Sequence, residues 1–81
     1  DKVNDLVGTK GAIIFNQQLN EIKRIPIGRL NNLDIQDNAY VIAIDGPATR
    51  KVIESCERLG CNNLIANNFI STDTDINLIS I

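Results

Sequence analysis

Residues 39–67 read AYVIAIDGPATRKVIESCERLGCNNLIAN, and this stretch decides the fold of the chain. Residues 40–44 form a continuous apolar run, which is typical of a strand that is covered on both faces. A helix about as long as such a strand can follow, so the chain can return beside its first strand at residues 64–66. The sequence therefore predicts a strand–helix–strand unit with two parallel strands and a right-handed crossover.

The helix of this unit is marked by residues at both of its ends. Gly46 frees the backbone, Pro47 suits the first helical position, and Thr49 can accept a hydrogen bond from an unpaired amide of the first turn. Gly60 tolerates a left-handed C-terminal cap. The apolar residues between these ends fall on one face: Val52, Ile53, Cys56 and Leu59. We therefore expect a helix of residues 47–59 that lies on a sheet.

Segments before and after this unit complete the expected sheet. Residues 11–15 and 20–25 predict an antiparallel hairpin, and the charges of the second strand suit an edge position. Residues 76–81 predict a last strand, with Ile76 and Leu78 on one face and Ile79 and Ile81 on the other. The expected fold is α/β, a small mixed sheet of about five strands: an N-terminal β-hairpin, a right-handed βαβ unit and a C-terminal strand.

The remaining segments are expected to connect these elements. The apolar residues Ile27, Leu30 and Leu33 recur every third position, which favours a short helical turn across one edge of the core. Polar loops are expected at residues 34–38 and 71–74, a turn at residues 67–68, and fraying over residues 1–7.

Length and composition narrow the classes of function. At 81 residues the chain is expected to be a single domain, 1–81, cut from the C-terminal part of a longer chain. Fourteen Ile stand against two Phe, one Tyr and no Trp, so few aromatic rings are available to stack on bases. The net charge of −2 gives no overall basic footprint, so any nucleic-acid contact must be local. No apolar run approaches a membrane span, which predicts a soluble, cytoplasmic protein with no membrane partner.

Three phrases together resemble a known family. They are LVGTKGAIIFNQQLNEIKRIPIGRL, then AYVIAIDGPATRKVIESCERLG, then the strand at Leu64 and Ile65. This order is similar to that of the C-terminal segment of archaeal DnaG-type primases, which follows their Toprim catalytic domain. In that family a hairpin of the form G-T-x-x-A, ending in a basic-Ile/Val-Pro phrase, precedes an Asp-Gly pair at a strand end. The match departs at Pro47, where the family usually has an aliphatic residue, and in the C-terminal tail.

The resemblance implies a non-catalytic docking or assembly domain. Its parent would be a DNA primase, a nucleotidyltransferase that makes RNA primers in DNA replication and also joins the RNA-degrading exosome. The implied partners are the other domains of the parent and an exosome cap subunit. Association with a second copy of the chain is a further possibility. RNA or DNA would be bound mainly through the parent. No cofactor is expected in this domain, because magnesium belongs to the parent's catalytic domain.

Three carboxylates offer a weaker, enzymatic alternative. Asp45, followed by Gly46, stands at a strand end, and Asp73 and Asp75 spell the Asp-x-Asp pair with which the Toprim fold binds magnesium. Paired carboxylates can ligate magnesium with water completing the octahedron. Too little chain separates the two acidic sites for a Toprim unit, so we expect no catalytic residue and no metal site here.

Two basic clusters are candidates for contacts with phosphate. Thr49, Arg50 and Lys51 surround the expected helix start, where free amides attract anions. The plainer interpretation is a solvated helix face on which Arg50 and Lys51 reach Glu54, and Glu54 pairs with Arg58. The second cluster is Lys23, Arg24 and Arg29, for which a charged sheet edge is again the plainer interpretation.

Cysteines and exposed apolar residues complete the candidates. Cys56 and Cys61 are expected to be buried, reduced thiols, with a disulfide as the alternative. Too many apolar groups near the C-terminus compete for one small core, and an uncovered apolar patch usually marks an interface. The sequence therefore predicts an interface formed by some of Phe69, Ile70, Ile79 and Ile81.

Overall fold

The computed structural model describes residues 10–33, 39–70 and 73–80. The elements in those ranges are β1 (Gly11–Phe15), β2 (Glu21–Pro26), a 3₁₀ helix (Ile27–Asn32), β3 (Val41–Ile44), β4 (Pro47–Ala48), α1 (Arg50–Arg58), β5 (Asn63–Ala66), β6 (Asn68–Phe69) and β7 (Asn77–Ser80). None of the helices in this part of the chain has the length and apolar character that a membrane crossing requires.

A five-stranded mixed sheet forms the centre of the domain, with the strand order β2-β1-β3-β5-β7. β1 is antiparallel to both β2 and β3, whereas β5 is parallel to β3 and to β7. This arrangement confirms the predicted hairpin, the parallel return of the chain after the helix, and the last strand. The right-handed sense of the crossover stays a prediction.

The two apolar runs of the sequence lie at the centre of the sheet because both of their faces are buried. Every residue of β1 and β3 is buried. Alternate side chains such as Ala12 and Ile42 belong to the core that includes Val52, Ile53 and Cys56 of α1. The others, such as Ile13 and Ala43, form a second cluster on the opposite face, against which Tyr40 and Ile65 pack. This two-sided burial explains why neither strand contains a charged residue.

The start of α1 differs from the prediction. Pro47 and Ala48 form the short strand β4, which pairs in parallel with β6, and the helix begins at Arg50. Thr49 is the cap, because its Oγ1 accepts a hydrogen bond from the amide of Val52 at 3.3 Å. A proline tolerates an extended position at the edge of a sheet as readily as the first turn of a helix. The second, two-stranded sheet was therefore missed.

Other boundaries shift by one or two residues. β2 is Glu21–Pro26 instead of residues 20–25, and β7 begins at Asn77 instead of residue 76. The predicted helical turn is the 3₁₀ helix, and Leu30 and Leu33 are buried there. The expected fraying of residues 1–7, the loop at 34–38, the first half of the loop at 71–74 and the position of Ile81 all lie outside the described residues.

Candidate functional site

The three carboxylates of the enzymatic alternative serve different parts of the fold. Asp45 Oδ2 accepts a hydrogen bond from the backbone amide of Lys10 at 2.8 Å, which ties the end of β3 to the start of β1. Asp73 borders a small cleft beside Arg50, and Asp75 borders a different one beside Cys61. Within residues 10–33, 39–70 and 73–80 no three Asp, Glu or Cys side chains are placed to hold a metal ion together.

The first turn of α1 separates the two cations that the sequence groups together. Arg50 borders a cleft that it shares with the acidic side chains of Glu54, Glu57 and Asp73. Lys51 points to the other side of the helix, where the cleft walls come from the 3₁₀ helix and from Thr49. Only Lys51 and Thr49 of this cluster therefore border the same surface.

β2 separates the second basic cluster in the same way. Lys23 pairs in register with Ile14, whose side chain faces α1, whereas Arg24 pairs with Ile13 of the opposite face. Arg24 Nη2 forms an ion pair with Glu21 Oε1 at 3.1 Å. Lys23 and Arg29 border one cleft of about 400 Å³ between β2 and the 3₁₀ helix.

The 3₁₀ helix is fastened to α1 by Arg58. The Arg58 guanidinium donates hydrogen bonds to the carbonyl oxygens of Leu30 at 3.0 Å, Asn31 at 3.1 Å and Leu33 at 3.1 Å. It thus binds carbonyls at and just after the end of the 3₁₀ helix. The Leu30 carbonyl also accepts a hydrogen bond from the amide of Leu33 at 3.3 Å. The expected pairing of Arg58 with Glu54 on a solvated face is therefore replaced by a tertiary contact.

Ser55 adds a second tie between these helices. Its Oγ lies 2.9 Å from Asn31 Oδ1 and 2.9 Å from the carbonyl oxygen of Lys51. Ser55 is buried, and it is the only buried polar or charged side chain among the described residues. This contact positions the Asn31 side chain on the surface of the 3₁₀ helix.

Three adjoining clefts follow the 3₁₀ helix, and we call them together the 3₁₀ groove. The first lies beside β2, the second has a volume of about 440 Å³ and lies beside Asn31 and Asn32, and the third has a volume of about 250 Å³ at the start of α1. The clefts adjoin because Asn32 borders the first two, and Asn31 and Lys51 border the last two. The groove is lined by three cations that form no ion pair among the described residues: Lys23, Arg29 and Lys51. The uncharged side chains between them include those of Asn31, Asn32 and Thr49.

Charge is distributed unevenly between this groove and the rest of the surface. Four of the chain's eight Lys and Arg residues border the 3₁₀ groove: Lys23, Arg29, Lys51 and Arg58. Among its described lining residues, one of the chain's ten acidic residues appears, Glu54. Among the described residues, the lining of the 3₁₀ groove therefore carries more Lys and Arg than acidic side chains, in a chain whose net charge is −2.

The cysteines form a buried pair at the end of α1. Cys56 and Cys61 are free thiols, and the backbone amide of Cys61 donates to the carbonyl of Cys56 at 3.0 Å. A hydrogen bond with the Cys61 thiol, together with burial, raises the pKa of Cys56 well above its usual range. The Cys61 thiol also donates to the carbonyl of Asn63 at 2.8 Å. Cys56 is therefore protonated at neutral pH and unsuited to act as a nucleophile.

The predicted apolar interface residues differ in exposure. Phe69 lies in β6 and packs against the core, so it is half-buried. Ile70 is 66% exposed, and Ile79 is 39% exposed in β7. Ile79 is in register with Ile65 of β5, so both side chains lie on the face of the sheet opposite α1. Ile81 lies outside the described residues.

Sequence reasoning missed the residues that connect the two basic clusters. Asn31 and Asn32 follow Leu30 in the 3₁₀ helix and had no recognised role, and Arg58 was assigned to the solvated face. The signal that was available is the basic residue in the last turn of α1, a position from which Arg commonly binds carbonyls at a helix end. Which carbonyls it would bind could not be read from the sequence, because they lie about 25 residues earlier in the chain.

Comparison with known proteins gives one informative likeness. No family model matches the chain, and no solved structure matches it. The chain is 33% identical over 66 residues to a protein named DNA primase DnaG from Caldivirga maquilingensis. The match covers 80% of this chain and 15% of that protein, so the chain spans a small part of its relative's length. The chain is therefore related to a segment of a DnaG primase.

Proposed function

We propose that this domain is a non-catalytic docking module of a DnaG-type primase, and that its first partner is another domain of the same primase. The likeness to a segment that makes up 15% of a DnaG protein supports this proposal, because a segment of that size works beside the rest of a longer chain. An archaeal parent and a C-terminal position for the domain are part of the proposal and rest on the resemblance of the sequence phrases.

The observation that carries the docking role is the contrast between the two edges of the sheet. β2 carries Glu21, Lys23 and Arg24, charges that discourage another strand from pairing with it. β7 is the other edge, has the uncharged sequence NLIS, and pairs among the described strands with β5 alone. Ile79 adds an apolar side chain that is 39% exposed to this edge. An edge without charge and with exposed apolar surface is suited to receive a partner.

The interface in this proposal is the β7 edge with Ile79. The other apolar candidates near the C-terminus are Phe69, Ile70 and Ile81. A lasting contact here should bury at least about 1,000 Å² in total. The parent would make RNA primers with magnesium in its own catalytic domain, act in the cytoplasm and also join the exosome. Two other partners could bind this interface, an exosome cap subunit or a second copy of this chain, and the experiment below tests both.

The experiment compares Ile79→Ser with Leu19→Ser. Leu19 is 62% exposed at the tip of the β1–β2 hairpin, so this control removes a similar exposed side chain from a distant surface. Binding of the 81-residue chain to the rest of the primase, supplied as a separate polypeptide, is measured by titration calorimetry. We expect Ile79→Ser to weaken binding at least about tenfold and Leu19→Ser to leave it unchanged.

Thermal unfolding and sedimentation complete the test. A lower melting temperature with unchanged binding would place Ile79 in the core and refute its docking role. Binding only to an exosome cap subunit, or only to a second copy, would overturn the choice of partner. No association with any of the three would refute the docking function altogether.

A further inference from the structure

We propose that the 3₁₀ groove binds the sugar–phosphate backbone of single-stranded nucleic acid. This site is separate from the β7 edge, so it does not depend on the docking function. The groove brings together Lys23 and Arg29 on one side of the 3₁₀ helix and Lys51 on the other.

These three cations are not committed to other partners. None of them takes part in an ion pair in the part of the chain that the structure describes, whereas Arg24 is paired with Glu21. Arg58 also borders the groove, but its guanidinium is occupied by three backbone carbonyls. Lys23, Arg29 and Lys51 are therefore available to an anion from solution.

The polar residues between these cations match the chemistry of a phosphodiester backbone. Phosphate and sugar oxygens are bound in nucleic-acid complexes mainly by Lys and Arg together with Asn, Ser and Thr side chains. Asn31 and Asn32 lie in the middle of the groove, and Thr49 lies at its end beside Lys51. The described residues that line the central cleft are all polar or charged, whereas apolar side chains contribute to the clefts at both ends. An acidic peptide would use the same cations, and competition with polyglutamate distinguishes it from a nucleic acid.

The shape of the site favours a single strand over a duplex. The clefts adjoin along a helix of six residues on a domain whose largest extent is 27 Å. Duplex DNA is read mainly by a helix or a two-stranded ribbon that enters its major groove, whereas this site is a path of adjoining clefts. A flexible single strand can follow it, and the near absence of exposed aromatic rings predicts contacts with the backbone instead of base stacking.

The groove is held in place before any ligand arrives. Arg58 fixes the carbonyls at the end of the 3₁₀ helix, and Ser55 fixes Asn31. Side chains on a surface that is already ordered lose less freedom on binding, which favours affinity. The three cations should still give only weak binding, with a dissociation constant of about 1–100 µM, as is typical of non-specific contacts.

The experiment uses two double variants that remove the same charge from neighbouring positions. Lys23→Gln with Lys51→Gln removes two groove cations. The control, Arg24→Gln with Arg50→Gln, removes the cation next in sequence to each of these lysines. Both of these arginines face away from the groove. The probes are fluorescein-labelled oligouridylate and oligothymidylate, and anisotropy is measured between 50 and 200 mM salt.

The wild-type chain should give a slope of log affinity on log salt of about −2, as expected for three contacts with a single strand. Its affinity should therefore fall about 16-fold over this salt range. The groove variant should give a slope of about −0.7 and bind at least about tenfold more weakly at 50 mM salt, while the control keeps the wild-type slope. Circular dichroism establishes that both variants remain folded.

Other results would overturn the proposal. Equal losses of oligonucleotide affinity in the two double variants would show that the net charge of the chain, and not the groove, governs binding. Polyglutamate that displaces the oligonucleotide at equal charge concentration would identify a general anion site or an acidic-peptide site. Binding of either oligonucleotide through the groove supports the proposal, and the ratio of their affinities distinguishes RNA from DNA as the source of the strand.

Discussion

Replacing Arg58 with Ala should destabilise the domain far more than an exposed arginine normally would. The guanidinium donates to the carbonyl oxygens of Leu30 and Asn31 in the 3₁₀ helix and of Leu33 just after it, and two of these hydrogen bonds are partly buried. A hydrogen bond that involves a charged group contributes about 1.5–3 kcal/mol, and solvent can replace part of that value at a partly exposed site. We therefore expect a loss of about 2–3 kcal/mol in the free energy of unfolding. Ala is the strongest helix former, so helix propensity does not add to this loss.

Urea unfolding followed by circular dichroism measures the loss, and Arg50→Ala provides the control. Arg50 is exposed in the first turn of the same helix, so its removal should change stability by less than about 0.5 kcal/mol. The expected fall in melting temperature for Arg58→Ala is about 10–20 °C in a domain of this size. Arg58→Lys should recover part of the loss, because one ammonium group keeps the charge but cannot span three carbonyls. A loss for Arg58→Ala as small as that for Arg50→Ala would refute the role of Arg58 as the tie between the two helices.

Two further predictions concern protons and metal. The raised pKa of Cys56 means that the folded chain holds this proton more tightly than the unfolded chain, so its stabilising effect is complete below about pH 9 and is lost as the pH rises. Unfolding experiments should show the free energy of unfolding falling by up to about 1.4 kcal/mol per pH unit above about pH 9. The same pH dependence in Cys56→Ala would show that Cys56 is not its cause. Magnesium added at up to about 1 mM should produce no joint, saturable change in the NMR signals of Asp45, Asp73 and Asp75; such a change would revive the enzymatic alternative.

The sequence by itself determined the central sheet and its order of elements. The apolar run at residues 40–44 predicts a strand that is covered on both faces, and residues 11–15 predict the first strand of a hairpin. β1 and β3 are buried throughout, as this pattern requires. Gly60 follows the helix and has a φ of 76°, a conformation that favours glycine, so the end of the helix could also be predicted. These patterns are local, because each depends on residues within a few positions of one another.

The tertiary structure alone decided the start of α1 and the composition of the groove. Pro47 suits both a helix start and an edge strand, and its pairing with Asn68 selects the strand. Arg58 could pair with Glu54 in its own helix, yet it binds carbonyls 25 and 28 residues away. Lys23 and Lys51 border one surface because the 3₁₀ helix packs between their elements. Contacts between distant residues depend on strand order and helix packing, and local sequence patterns do not encode which of several equally compatible partners will be adjacent.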